Sequence, residues 1–248
     1  MLDFKGAAKP LDDIDLPTLG KLLGVGEDHI HMFLDVETKG KGHDEQGRSL
    51  ILFERHIFYR ELNKLADKTL LNEAVKQGLA NKRAGGYGKT SAQYGKLERA
   101  CKLSEVAALR SCSWGLGQVM GFNHLLAGYP TVSAMVLAFK DDEENQLAGA
   151  VNFIMDTKLD DELRACKGGQ PETCRAFASG YNGSGYRRNN YHVKLADALQ
   201  KWGRIKDTPL PVARPREVYV PNVPAPKPAT GGLWAVLIAI LKSFGAKK

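Results

Sequence analysis

Cysteine is scarce in this 248-residue chain. Cys101, Cys112, Cys166 and Cys174 are the only four, and no two of them stand as C-x-x-C. No histidine is placed to complete a zinc set, so the common structural zinc modules are excluded. The six histidines, His29, His31, His43, His56, His124 and His192, form no H-x-x-x-H pair on one helix, and no catalytic metal is expected. Gly115 and Gly117 have no strand–helix–strand unit around them, so they are not a dinucleotide fingerprint. The expectation is a protein without a cofactor. The first ten residues contain no apolar stretch of signal-peptide length, which predicts synthesis in the cytoplasm without a cleaved leader. Cys112 reads as a buried thiol, and Cys166 with Cys174 as a pair able to bridge in an oxidising space.

What the chain does have is positive charge. A net charge of +7 and a pI near 9.1 favour polyanionic partners: nucleic acid, anionic lipid or an anionic cell wall. The chain shows neither zinc-finger spacing nor an aromatic RNA-binding signature, so nucleic acid is not expected as the partner.

Composition divides the chain into three parts. Residues 1–206 have the apolar content of a folded domain. Residues 207–230 hold seven of the eleven prolines, a density that prevents helix and central strand and predicts an extended linker. Residues 231–248 contain the run Leu233–Leu241, apolar on all sides. As a helix, Gly231–Ala246 would be about 24 Å long, short of the roughly 30 Å hydrocarbon core but able to associate with a bacterial membrane.

The first part is predicted to be mainly helical. Asp15 is a cap candidate before Leu19, Leu22 and Leu23, and a second helix is expected from about Glu27 to Thr38. A turn at Asp44–Gly47 before Leu50–Phe53 predicts one small β-hairpin. Helical spacing recurs in Phe53, Ile57, Phe58, Leu62 and Leu65, in Leu147, Val151, Ile154 and Met155, and in Tyr191, Leu195, Leu199 and Trp202.

Within the second helix Ile30, Phe33 and Leu34 form one apolar face. Glu37 lies seven, four and three residues further on and continues it. A carboxylate facing inward is desolvated, and the negative end of the helix dipole acts in the same direction; both raise its pKa. That is the property of a general acid that protonates a glycosidic oxygen. The alternative is a surface Glu at a frayed end, paired with Lys39 or Lys41. Two-carboxylate chemistry asks for a partner. Glu54, which opens the next helix, is one candidate, and Asp44 and Glu45 in the turn are others. Ser113, Gln118 and Asn123 in a glycine-dense segment offer neutral hydrogen-bonding groups for sugar hydroxyls or acetamides. Tyr181, Asn182 and Tyr186 flank an Asn-Gly turn and offer an apolar wall with a polar handle, or else simply packing.

Three of these segments occur in a familiar order. Val36-Glu-Thr, Gly115-Leu-Gly-Gln-Val-Met and Ala178-Ser-Gly-Tyr-Asn-Gly-Ser-Gly resemble the motifs of the lysozyme-like lytic transglycosylases. The chain is still more similar to the N-acetylmuramidase family of phage endolysins. There the resemblance adds a glycine-rich turn at 40–47, Leu52-Phe-Glu-Arg-His-Ile-Phe, Ser113-Trp-Gly-Leu-Gly-Gln-Val-Met-Gly-Phe-Asn and Gly180-Tyr-Asn-Gly. It spans roughly residues 10–203. It implies a lysozyme-like α+β fold and cleavage of peptidoglycan between N-acetylmuramic acid and N-acetylglucosamine. It also implies Glu37 as the acid, Glu54 as an active-site residue, and host cell lysis as the purpose. Hydrolysis and lytic transglycosylation both stay open on these motifs. So does a different class of function, a wall-binding module whose membrane-active tail does the killing.

Overall fold

The computed structural model describes residues 3–38 and 40–209. The prolines beyond Pro209 and the apolar segment 231–248, with the helix and membrane contact expected of it, lie outside the described residues. Among the described residues no helix is long and apolar enough to cross a membrane.

Asp15 is not the cap expected of it: Ile14 holds the cap position without a side-chain bond, and Asp12 shapes the turn just before the helix. Its carboxylate accepts from the Ile14 and Asp15 amides at 2.9 and 3.2 Å, leaving Asp15 as the first residue of α1 (Asp15–Leu23). Gly24, at φ 70°, ends α1 in the left-handed conformation that glycine adopts most easily. Helix α2 (Glu27–Glu37) begins with Glu27 and Asp28, acidic groups suited to a helix N-terminus. It buries Ile30, Phe33 and Leu34 as the spacing requires, and Met32 as well.

The expected turn at Asp44–Gly47 is present, closed by the Gly47 amide on the Asp44 carbonyl at 3.0 Å. The sheet around it differs from the expected single hairpin. Strand β1 (Ile51–Phe53) pairs antiparallel with β2 (Cys112–Trp114), about sixty residues later, in the register Leu52–Ser113. Strand β2 then turns back into β3 (Val119–Met120). The glycine-dense segment supplies this second turn, with Gly115 at φ 65° and Gln118 at φ 46°. A strand three residues long carries too little periodicity to show its partner, so a distant pairing is invisible in sequence.

The rest is helical: α3 (Arg55–Lys64), α4 (Lys68–Lys76), α5 (Gln93–Arg110), α6 (Val132–Asp141), α7 (Glu143–Asp156), α8 (Asp160–Ala165), α9 (Arg175–Asn182) and α10 (Tyr191–Trp202). Phe53 belongs to β1, and Leu65 lies exposed past the end of α3, so the helical spacing read across them holds only for Ile57, Phe58 and Leu62. The other two apolar series fall on α7 and α10 as read. Helix α7 runs through the middle of the core, burying residues 145–151 without a break. Helix α10 lies against α2. Near its end Trp202 stacks on His31 at 3.9 Å, and its indole nitrogen donates to Asp35 at 2.7 Å. At its start Tyr191 meets Glu37. The two helices are therefore antiparallel, and the beginning of one closes over the end of the other. Thr208, the last residue but one of the described chain, donates its amide to Glu27 at 2.7 Å.

All four cysteines are buried free thiols. Cys166 and Cys174 are neighbours, with their side chains hydrogen-bonded to each other.

Candidate active site

Glu37 is the last residue of α2, and its residue surface is only partly covered. The carboxyl itself is withdrawn from water, and this burial pushes its pKa up to about 7 from an ordinary 4.5. One influence opposes the shift: the Tyr191 hydroxyl donates to Glu37 Oε1. The result is a carboxyl that is substantially protonated near neutral pH and held in place by a phenol. Asn182 hydrogen-bonds Tyr191 in turn, which links the Asn-Gly turn to the acid.

Tyr181 belongs to the same cluster but serves as a brace. Its ring packs edge-on to Phe33 and Phe153 and stacks on Phe177. Its hydroxyl donates to the Gly117 carbonyl at 2.7 Å, tying the β2–β3 turn to α9. Gly117 has no room for a side chain: a Cβ there would meet Ala150 Cβ at 2.5 Å and the Tyr181 hydroxyl at 3.2 Å. The turn is drawn toward α2 as well, because Thr38 donates to the Leu116 carbonyl at 3.4 Å.

Gln118 lies at the end of that turn. Its side-chain oxygen accepts from the Ser113 hydroxyl at 2.8 Å, and its nitrogen donates to the Gly115 carbonyl at 2.9 Å. Residues alternate faces along a strand. Ile51, Phe53, Cys112 and Trp114 point into the core, whereas Leu52 and Met120, on either side of Ser113, are partly open. Glu54 follows two residues after Leu52 and extends that open face. By this alternation Glu54 falls on the same side as Ser113 and Gln118, and the Thr38–Leu116 bond brings their turn to the residue after Glu37.

Glu54 is also raised above its ordinary value by burial, against the opposing pull of His56 at 3.1 Å and a hydrogen bond from Tyr87. Asp44 differs in kind. Despite partial burial, the Arg48 guanidinium at 2.7–2.8 Å and the Arg48 and Gln46 amides hold it below the usual carboxylate range. It is committed to the turn. Glu45 borders a separate hollow with Asp3, Lys5 and Arg48. Asn123 ends the short 3-10 turn after β3, where its carbonyl accepts from Ala127; no contact joins it to Glu37. Tyr186 is buried, its ring edge-on to His192 and its hydroxyl accepting from Arg187 at 3.0 Å, so little of its face is open.

Two tyrosines of this arrangement were hidden in the sequence. Tyr191 reads there only as the first apolar position of α10, and Tyr87 only as a tyrosine among the glycines at 85–88. The one signal for Tyr191 is a hydroxyl-bearing aromatic at a helix start shortly after the Asn-Gly turn. Its role is testable on the acid directly. In Tyr191→Phe the carboxylate loses its only hydrogen-bond donor among the described residues. The Glu37 titration, followed by carboxyl-carbon NMR, is expected to move up by roughly one pH unit or more. An unchanged midpoint would remove Tyr191 from the account.

A family model described as N-acetylmuramidase matches residues 27–203. The crystal structure of the Burkholderia AP3 phage endolysin is similar at a TM-score of 0.68 and 36% sequence identity, over 79% of this chain and 73% of that one. No curated protein matches.

Proposed function

The chain belongs to the N-acetylmuramidase family, and from that premise we propose that it is an endolysin cleaving peptidoglycan between N-acetylmuramic acid and N-acetylglucosamine. One observation carries the assignment of the acid: a desolvated carboxyl at the end of α2, raised to about 7 and gripped by Tyr191. Glu37 protonates the glycosidic oxygen of the leaving sugar. Glu54, across the open sheet face, supplies the second carboxylate, which stabilises the oxocarbenium-like transition state or guides water to it. Gln118 and Ser113 between them position the sugar by hydrogen bonds. Asn182 acts through Tyr191.

Mass spectrometry of the muropeptides released from purified peptidoglycan tests this reading. Hydrolysis leaves reducing N-acetylmuramic acid ends. Products dominated by the 1,6-anhydro form would reassign the enzyme as a lytic transglycosylase, in which the substrate's own hydroxyl replaces water and Glu54 has no water to handle.

The membrane part of the proposal rests on the apolar composition of segment 231–248 alone. A chain lacking those residues is expected to lose co-sedimentation with anionic liposomes and to keep its rate on purified wall. Equal liposome binding by the two forms would end the idea.

A further inference from the structure

Between Glu73 and Glu98 the chain carries Lys76, Lys82, Arg83, Lys89 and Lys96 and no carboxylate at all. Fold brings the centre of this stretch to Glu54. The glycine-rich loop at 85–88 is left-handed at Gly85, Gly86 and Gly88. A Cβ on Gly86 would come within 2.5 Å of Arg55 Nη1, so the absence of a side chain lets the guanidinium lie against the loop backbone. Lys96 grips the same segment from the other side, donating to the Gly86 carbonyl at 3.3 Å and to the Tyr87 carbonyl. Tyr87 then hydrogen-bonds Glu54 through its hydroxyl. The loop therefore fastens a group of cations beside the row of polar residues that leads to Glu37.

These cations are not neutralised. Arg55, Lys96 and Arg99 make no ion pair among the described residues, although Arg60, Lys64 and Arg110 nearby on α3 and α5 all bind Glu61. Arg55 Nε is buried without a hydrogen-bond partner. Burial first, and then the charges of Arg55 and Arg99, hold Lys96 below its ordinary pKa. Like charges drawn together with no counter-ion destabilise one another. A carboxylate in their midst removes that repulsion.

We propose that Arg55, Lys96 and Arg99 form an anion subsite that binds the free carboxylates of the peptidoglycan stem peptide as the glycan lies along the sheet. This rests on the peptidoglycan reading of the site. On an intact strand the lactyl group is tied up in an amide, so the free carboxylates belong to the peptide. The enzyme thereby prefers strands that still carry charged stems.

The test uses the full chain and purified peptidoglycan freed of wall phosphate polymers. One portion is native, and in the other the stem carboxylates are capped as amides, which removes charge and keeps bulk. The parent enzyme is expected to show a KM about three- to tenfold lower on native strands, from one or two partly exposed ion pairs, and this advantage should shrink with added salt. Arg99→Gln should lose part of the preference by raising KM on native strands, with kcat and the capped-strand KM unchanged, and Lys96→Gln should lose part of the preference as well. Lys96→Gln also frees the loop, so an equal loss on both substrates in that variant is structural, and the exposed Arg99 variant decides. Equal KM values for the parent on both substrates, or an Arg99→Gln variant that keeps the full preference, would overturn the subsite. Failure of the parent to cleave either substrate would instead overturn the peptidoglycan reading itself.

Discussion

Replacing Glu37 with Gln is expected to lower the rate of peptidoglycan cleavage by about 10²–10⁴-fold or more, the usual contribution of a general acid, while the domain stays folded. Gln keeps the shape of the side chain and can still accept the Tyr191 hydroxyl hydrogen bond. It cannot donate a carboxyl proton. The same variant should also be more stable than the parent at alkaline pH. Glu37 titrates near 7 in the folded protein against an ordinary 4.5. Protonation therefore favours the fold fully below the lower value, and that stability is lost as pH rises through about 7. The difference corresponds to about 3 kcal/mol once the carboxyl is ionised. The aromatic cluster around Tyr181 is untouched, so melting curves of parent and variant should approach each other in acid and separate above neutrality, the variant melting higher. Turbidity clearing and melting temperature measured across pH check both halves. Near-parental clearing by folded Glu37→Gln would remove Glu37 as the acid. Parallel pH dependence of the two melting temperatures would mean that its carboxyl is hydrated after all.

Gln146→Leu is expected to destabilise the domain by about 2–5 kcal/mol and to lower activity with it. Gln146 is fully buried on α7. Its oxygen accepts the Leu116 amide at 2.8 Å, and its nitrogen donates to the Phe139 carbonyl at 2.7 Å and approaches His43 Nε2 at 3.0 Å. Leucine fills similar space but leaves the buried Leu116 amide without its acceptor and the Phe139 carbonyl with only the His43 ring at 2.9 Å, which is costlier than never having made the bonds. Gly115 and Gly42 both lie so close to this amide that a Cβ on either would come within 2.5 Å of its oxygen. One side chain thus joins the β2–β3 turn, the 40–47 turn and the end of α6. The turn it holds is the one that carries Gln118, so denaturant midpoint and activity should fall together. A variant with parental stability would show that water satisfies these groups readily.

Sequence made the helical skeleton legible wherever apolar residues recur over three turns, as in α2, α7 and α10. It made Glu37 legible because the residue continues a face already fixed by Ile30, Phe33 and Leu34. It was silent about the sheet, whose strands of two and three residues pair across some sixty positions. Gln146 shows another limit: a lone glutamine in an apolar helix gives no sign of the three segments it joins. Tyr191 shows a third. Its ring satisfies the apolar spacing of α10, and that periodicity says nothing of a hydroxyl pointing at the end of another helix. Asp44, Glu45 and Glu54 look alike as carboxylates near a turn; only the partners separate them, Arg48 for the first and His56 with Tyr87 for the last.

The hydrogen bond from Thr208 to Glu27 fixes the end of the described chain in place. Thr208 lies beside the first residue of α2, and Glu37 lies at the other end of that helix, about 15 Å away. A bulky group attached at Thr208 should for that reason stay a helix length away from Glu37, whereas cargo inserted in the 183–185 turn would sit beside Asn182, which reaches Tyr191 and through it the candidate acid.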